Sequence, residues 1–188
     1  MATRTLSTPL CRDIINSLNC GDTVLLTGTV YTARDAAHAR LIESIRQGKA
    51  LPFPIENAII YYVGPTPAKV GQAIGSAGPT TSSRMDIFTP ELISAGLSAM
   101  IGKGARSSEV IEAMQTHTAV YFGALGGAGA LLSQCVESSK VIAYDDLGTE
   151  AIRKLKVKNM PLTVVIDSKG NDLYKKGRTE YLQEGHGH

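Results

Sequence analysis

Residues 75–86 read GSAGPTTSSRMD: a Gly-Pro turn, four hydroxyl side chains (Thr80, Thr81, Ser82, Ser83), then Arg84 and Asp86. A core does not tolerate so many polar groups, and a plain surface turn does not need them. Two further loops carry a cation. IGKGARSS (101–108) sets Lys103 between two glycines and Arg106 just ahead of a helix start. YTARD (31–35) sets Arg34 in the first turn of a helix that follows a strand. Loops of this kind bring backbone N–H groups and a positive charge to a point where an anion can sit. Glycine lets the main chain come close to a ligand, and the arginine fork grips a carboxylate through two parallel bonds. Two arginines and a lysine suit a small ligand with two carboxylates. Asp86 reads as an ion-pair or turn-capping residue. Each feature also has a plainer reading: Arg34 paired with an acid on its helix face, Lys103 solvated, the hydroxyls a helix cap with spare polar residues.

Other chemistries are less well supported. The phosphate-loop pattern G-x-x-x-x-G-K-[ST] is absent, and GALGGAG (123–129) does not have the G-x-G-x-x-G spacing. Cys11, Cys20 and Cys135 form no Cys-x-x-Cys pair and read as small apolar side chains in a reducing, cytoplasmic setting. No metal site built by this chain alone is expected. His38 and His117 stand isolated, as helix-surface or hydrogen-bonded residues, and His186 and His188 lie in a polar tail.

The elements that must position these residues alternate in type. Strands are expected at 23–30, 58–64, 98–104, 118–124 and 138–146, with a strand–turn–strand over 161–177. Helices are expected from a Thr32 start to Gly48, at 89–96 with Thr89 as cap and Pro90 behind it, and at 107–117. Two more are expected in LGGAGALLSQC (125–135) and TEAIRKLKV (149–157). Strands alternating with short helices give the α/β class with a mixed sheet and flanking helices.

The 188 residues suit one domain, and 43% hydrophobic against 19% charged residues permit a real core. A net charge of +2 gives no concentrated basic face for nucleic acid or an anionic membrane. No apolar run reaches the ~18 residues of a membrane span. The first residues, MATRTLSTPLCRDI, have no apolar stretch of the kind a secretory signal needs.

In order, TGTVYTARDAAH, YYVGPTPA, IGSAGPTTSSRMD, IGKGARS, FGALGGAGALL and VVIDSKGNDLY resemble the β subunit of the class I (iron–sulfur) fumarases and the related tartrate dehydratases. TARDAAH and SAGPTTSSRMD are the specific strings. The resemblance runs from about Leu18 to about Tyr174. It implies a swivelling β/β/α domain; one such domain is expected over 1–188, with residues 1–17 an extension and 178–188 a tail, both peripheral and outside the resemblance. It implies a hydro-lyase that interconverts fumarate and malate, or an L-tartrate dehydratase giving oxaloacetate. It implies a hetero-oligomer with an α subunit that carries a four-iron, four-sulfur cluster, and no cofactor on this chain. By the same resemblance Thr80 is the proton-transfer residue, Arg84 and Arg34 are carboxylate clamps, and Lys103 is a substrate-binding lysine. An alcohol is a poor base unless activated, and a carboxylate for that task is expected on the α chain. Two alternatives remain: a non-catalytic carboxylate-binding or assembly module, and a stand-alone α/β enzyme acting on a phosphorylated substrate without iron.

Overall fold

A computed structural model describes residues 3–68, 70–124 and 129–177. Seven strands run through them: β1 (Thr3–Ser7), β2 (Thr23–Thr32), β3 (Ile59–Tyr61), β4 (Ala99–Gly102), β5 (Val120–Gly123), β6 (Val136–Ala143) and β7 (Ile152–Ile166). They form one sheet in the order β1-β2-β3-β4-β5-β7-β6, and β7 also pairs with β2. The pairs β1–β2, β2–β3, β3–β4 and β4–β5 are parallel. β7 runs antiparallel to β2, β5 and β6. The strands β2, β3, β4, β5 and β7 therefore close on themselves.

Alternation along the strands builds two cores. Ile59 and Tyr61, Ala99 and Ile101, Val120 and Phe122, and Leu155, Val157, Leu162 and Val164 share one cluster with Val24 and Leu26. Ile60, Met100 and Tyr121, which alternate with them, and Val165 of β7 join the other. That second core is covered by α2 (Asp35–Arg46), α3 (Thr89–Ser94) and α4 (Ser108–His117), through Leu41, Ile42, Leu92, Ile93, Val110 and Met114. β3, β4 and β5 are buried on both faces, which is why they read as continuous apolar runs. Two further short helices are α1 (Arg12–Asn16) and α5 (Gly129–Gln134).

Several expectations are corrected. Residues 1–17 are not peripheral over their described part: β1 pairs along the first half of β2, and Leu6, Leu10 and Ile15 enter the first core. The 178–188 tail lies outside the described residues, as do 125–128 of the small-residue segment. Thr32 does not start a helix. It ends β2, and its Oγ1 accepts the Arg153 N–H at 2.9 Å. The helix begins at Asp35 with Arg34 as its N-cap residue. TEAIRKLKV is not the expected helix: Thr149 and Glu150 end a 3₁₀ segment, Asp145–Glu150, and residues 152–157 open the 15-residue β7. There Lys154, Lys156 and Lys158 point outward between buried Leu155 and Val157, a period of two that short-range helix propensity obscures. The second strand expected after the Ser-Lys-Gly-Asn turn is absent. Asp167 accepts N–H bonds from Lys169 and Asn171, which bends the chain into a helical turn at 173–177 after a single bridge, Ile166–Asp172. Among the described residues no helix is long and apolar enough to cross a membrane.

Candidate active site

Because β2, β3 and β4 are parallel, their C-terminal ends open on one edge of the sheet, where loops of an α/β protein gather ligand-binding groups. Arg34 stands two residues beyond β2, the Tyr62–Gly64 segment follows β3, and Lys103 follows β4. The hydroxyl-rich segment is laid across these ends. The Thr80 N–H donates to the Tyr62 carbonyl at 2.8 Å, Thr81 bridges Lys103 in parallel, and the Ser82 N–H donates to the Lys103 carbonyl at 3.0 Å. One 3₁₀ turn, Ser82–Met85, then carries Arg84.

Arg84 reaches back to the start of α2. Its Nε donates to Asp35 Oδ1 at 3.0 Å, and its Nη2 lies 3.0 Å from Oδ2. Since Asp35 directly follows Arg34, both arginines stand on the same rim. Arg34 Nη2 lies 3.3 Å from Glu150 Oε1. The other Glu150 oxygen accepts the Ala36 N–H at 3.2 Å, in the first turn of α2. The Arg34 Nε is buried with no hydrogen-bond partner among the described residues. Gly64 makes room for this side chain: a Cβ there would come within 3.0 Å of Arg34 Nη1 and 3.0 Å of the Thr149 carbonyl. Among the described residues no carboxylate pairs with Lys103, whose side chain is exposed, and no side chain hydrogen-bonds the half-buried Thr80 hydroxyl.

The four residues singled out in the sequence, Arg34, Thr80, Arg84 and Lys103, thus meet at one edge. The plain reading of Arg34 holds beside the functional one, because it does pair with an acid. Arg106 departs from the anion-loop expectation. Its side chain is fully buried, with Nε 2.7 Å from Asp86 Oδ1 and Nη2 2.8 Å from Thr89 Oγ1. Asp86 also accepts the Ser107 N–H at 2.7 Å, so it pairs with a cation and caps α4 at once. Tyr62 and Tyr121 lie against the Arg106 guanidinium, with ring centroids 5.2 and 5.0 Å away. This cation belongs to the support beneath the rim.

Asp35 and Glu150 were not singled out in the sequence. Asp35 could be suspected from its place beside Arg34, whereas Glu150 is brought in from a distant turn and carries no local signal. His38 is buried one helical turn after Arg34, and its Nδ1 meets the Arg34 carbonyl at 2.9 Å. A carbonyl only accepts, so Nδ1 carries the proton and Nε2 is left bare and unpartnered among the described residues. Burial, reinforced by the Arg106 charge and opposed by the Arg34 carbonyl and Asp35, lowers the His38 pKa to about 4. The imidazole is therefore neutral at pH 7.

The described residues do not present a donor set for an iron–sulfur cluster. Among the described residues no group of three or more His, Cys, Asp or Glu side chains can hold a metal. Cys11 is exposed, while Cys20 and Cys135 direct their thiols at the Val165 and Leu131 carbonyls. Burial raises both of those thiol pKa values and disfavours the thiolate that a metal requires.

A model of the family described as Fumarase C-terminus matches residues 2–177. The class I anaerobic fumarate hydratase of Escherichia coli (strain K12) is 43% identical over 153 residues, 80% of this chain and 28% of that protein. Fumarate hydratase 2 of Leishmania major is 38% identical over 167 residues, 88% of this chain and 29% of that protein. A putative L(+)-tartrate dehydratase subunit beta of Methanocaldococcus jannaschii is 39% identical over 173 residues and is covered over 89% of both chains. The chain therefore spans somewhat over a quarter of the fumarate hydratases and nearly all of the separate β subunit. A match over nearly all of the described residues, with a cationic rim formed by the most distinctive strings, shows that this chain belongs to the Fumarase C-terminus family.

Proposed function

We propose that this chain is the β subunit of an iron–sulfur hydro-lyase that hydrates fumarate reversibly to malate, complete only with an α partner. The observation that carries the reading is the gathering of Arg34, Arg84, Lys103 and Thr80 at the C-terminal ends of β2, β3 and β4. Arg34 and Arg84 each show part of the guanidinium to an internal carboxylate and keep other donors for a ligand. The dicarboxylate lies with its carboxylates toward these two forks and the Lys103 amine. A proton on the carbon next to a carboxylate is weakly acidic, and its removal builds negative charge on that carboxylate. Fixed cations stabilise this charge more in the transition state than in the bound substrate. Thr80 takes the proton and passes its own hydroxyl proton to a carboxylate. With no acid at its hydroxyl among the described residues, that group is assigned to the α partner. Cys11, Cys20 and Cys135 do not come together in a metal-binding group among the described residues, and we assign the cluster to the partner as well.

The swivelling β/β/α description suits the closed sheet with α2, α3 and α4 laid over its second core, and a cytoplasmic location suits the three unpaired cysteines. A second reading, L-tartrate dehydratase giving oxaloacetate, is favoured by the match over 89% of both chains to a protein named as a β subunit. Malate and tartrate differ by one hydroxyl, and no rim residue is assigned to read it. The deciding experiment is anaerobic reconstitution with the α subunit, assayed against malate, fumarate and both tartrate enantiomers. Turnover of malate and fumarate is expected. Turnover of tartrate alone selects the second reading, and activity of this chain without partner or iron overturns both.

A further inference from the structure

The four consecutive hydroxyls do not share one job. Thr81 and Ser83 are exposed, Thr80 is half-buried at the rim, and Ser82 is fully buried. The Ser82 Oγ accepts the Lys103 N–H at 3.0 Å, while the Ser82 N–H donates to the Lys103 carbonyl at 3.0 Å. Tyr121 lies 2.9 Å from the same Oγ, and its hydroxyl also reaches the Gly104 carbonyl at 3.0 Å. The Tyr121 hydroxyl is the donor here, with the Ser82 Oγ and the Gly104 carbonyl both in its reach, and the Ser82 Oγ accepts the Lys103 N–H as well.

The contact requires a glycine ahead of the lysine. A Cβ at Gly102 would stand 1.9 Å from the Ser82 Oγ. Beneath the pair, Arg106 lies against the Tyr121 ring and, with Asp86, Thr89 and Tyr62, fills the remaining buried polar space. Burial drives the Tyr121 pKa upward, so its hydroxyl keeps its proton.

We propose that Ser82 and Tyr121 are positioning residues, which fix the main chain on both sides of Lys103 so that its amine meets the diacid held beside Thr80. This rests on the hydro-lyase reading above. A lysine has a flexible four-carbon stem, and only its root can be preset. Two bonds at Lys103 and one at Gly104 preset that root, and the same serine fixes the segment two residues after Thr80.

The test uses the reconstituted α–β pair with Tyr121→Phe, Ser82→Ala, Lys103→Ala and the two combinations with Lys103→Ala. Tyr121→Phe and Ser82→Ala are each expected to raise KM for malate about five-fold, the scale of one lost buried hydrogen bond, with kcat changed less. On the Lys103→Ala background neither adds a further increase in KM, since both act through that lysine. In the isolated chain, hydrogen exchange at the Lys103 amide is expected to speed up in Tyr121→Phe while that of α4 is unchanged. A parental KM in Tyr121→Phe, with only a lower Tm, overturns the inference. So do increases that multiply with that of Lys103→Ala. Tyr121→Phe keeps the question decidable if Ser82→Ala does not fold. A parent pair that turns over none of the diacids overturns the functional reading instead, and the positioning role with it.

Discussion

Asp35 faces the Arg84 guanidinium with both carboxylate oxygens, 3.0 Å from Nε and 3.0 Å from Nη2. Arg84 is half exposed, so the pair adds little to stability. Its effect is orientation: one edge of the fork is held by α2, and the remaining donors face outward from the turn. Asp35→Asn keeps the size and one acceptor but loses the charge. It is expected to raise KM about five-fold, equivalent to ~1 kcal/mol, with Tm nearly unchanged. An unchanged KM in steady-state assays would show that Asp35 does not aim Arg84.

Arg84→Met removes the fork itself. The charge-assisted bonds it would give a carboxylate are worth roughly 1.5–3 kcal/mol, so kcat/KM should fall about 10- to 100-fold, through a higher KM and a lower kcat together. A change confined to Tm would return Arg84 to a purely structural ion pair.

Thr80→Ala deletes a hydroxyl that no side chain among the described residues uses. The fold should be unaffected and KM should stay within a few-fold of the parent, while kcat falls at least ~100-fold, the usual contribution of a positioned acid–base group. A kcat within a few-fold of the parent would remove Thr80 from proton transfer.

Gly64→Ala tests the seat of Arg34. The new Cβ meets both a guanidinium nitrogen and a backbone carbonyl at 3.0 Å. The Gly64 loop or the Glu150 turn must therefore shift, and Arg34 with it. A higher KM with retained folding is expected, and Gly64→Ser should behave alike. Parental kinetics in both would show that the Arg34 position is not limiting.

His38 gives a pH signature. Its folded pKa, about 4, lies below the ordinary value of 6.5. The unfolded chain therefore binds the extra proton first as pH falls. The stability contribution is complete above pH 6.5, declines as pH drops toward 4, and amounts to about 3 kcal/mol over that window. His38→Gln keeps a donor for the Arg34 carbonyl and cannot titrate. Its urea-unfolding free energy should vary less between pH 6.5 and 4 than the parent's, and an equal slope would refute the assignment.

Local chemistry made much of this legible. The cation-bearing loops, the helix that begins after Ser107 and the buried parallel strands all follow from spacing within a dozen residues. That serine caps the helix by accepting the Val110 N–H. What local spacing did not give is set by contacts far apart in the chain. β7 becomes a strand because β2 lies beside it, and its alternating lysines need that neighbour to show which face is buried. Glu150 acquires meaning only when its turn lands on the start of α2. Arg106, with the same local surroundings as Lys103, is buried because Asp86 and two tyrosines wait for it. The family resemblance placed Thr80 and both arginines in one pocket; the geometry brings them to one rim, and the assays above address their roles.

The pairing of β7 with β2 also orders events during synthesis. Thr23 finds its antiparallel partner at Thr163, 140 residues later. Until that segment has left the ribosome, the β2 edge that β7 takes up lacks its ladder partner. Contacts so distant along the chain form slowly and leave the intermediate open to aggregation. A nascent chain stopped short of Ile152 would therefore be expected to seek a chaperone, and release of the last strand is the moment at which the rim above it gains its foundation.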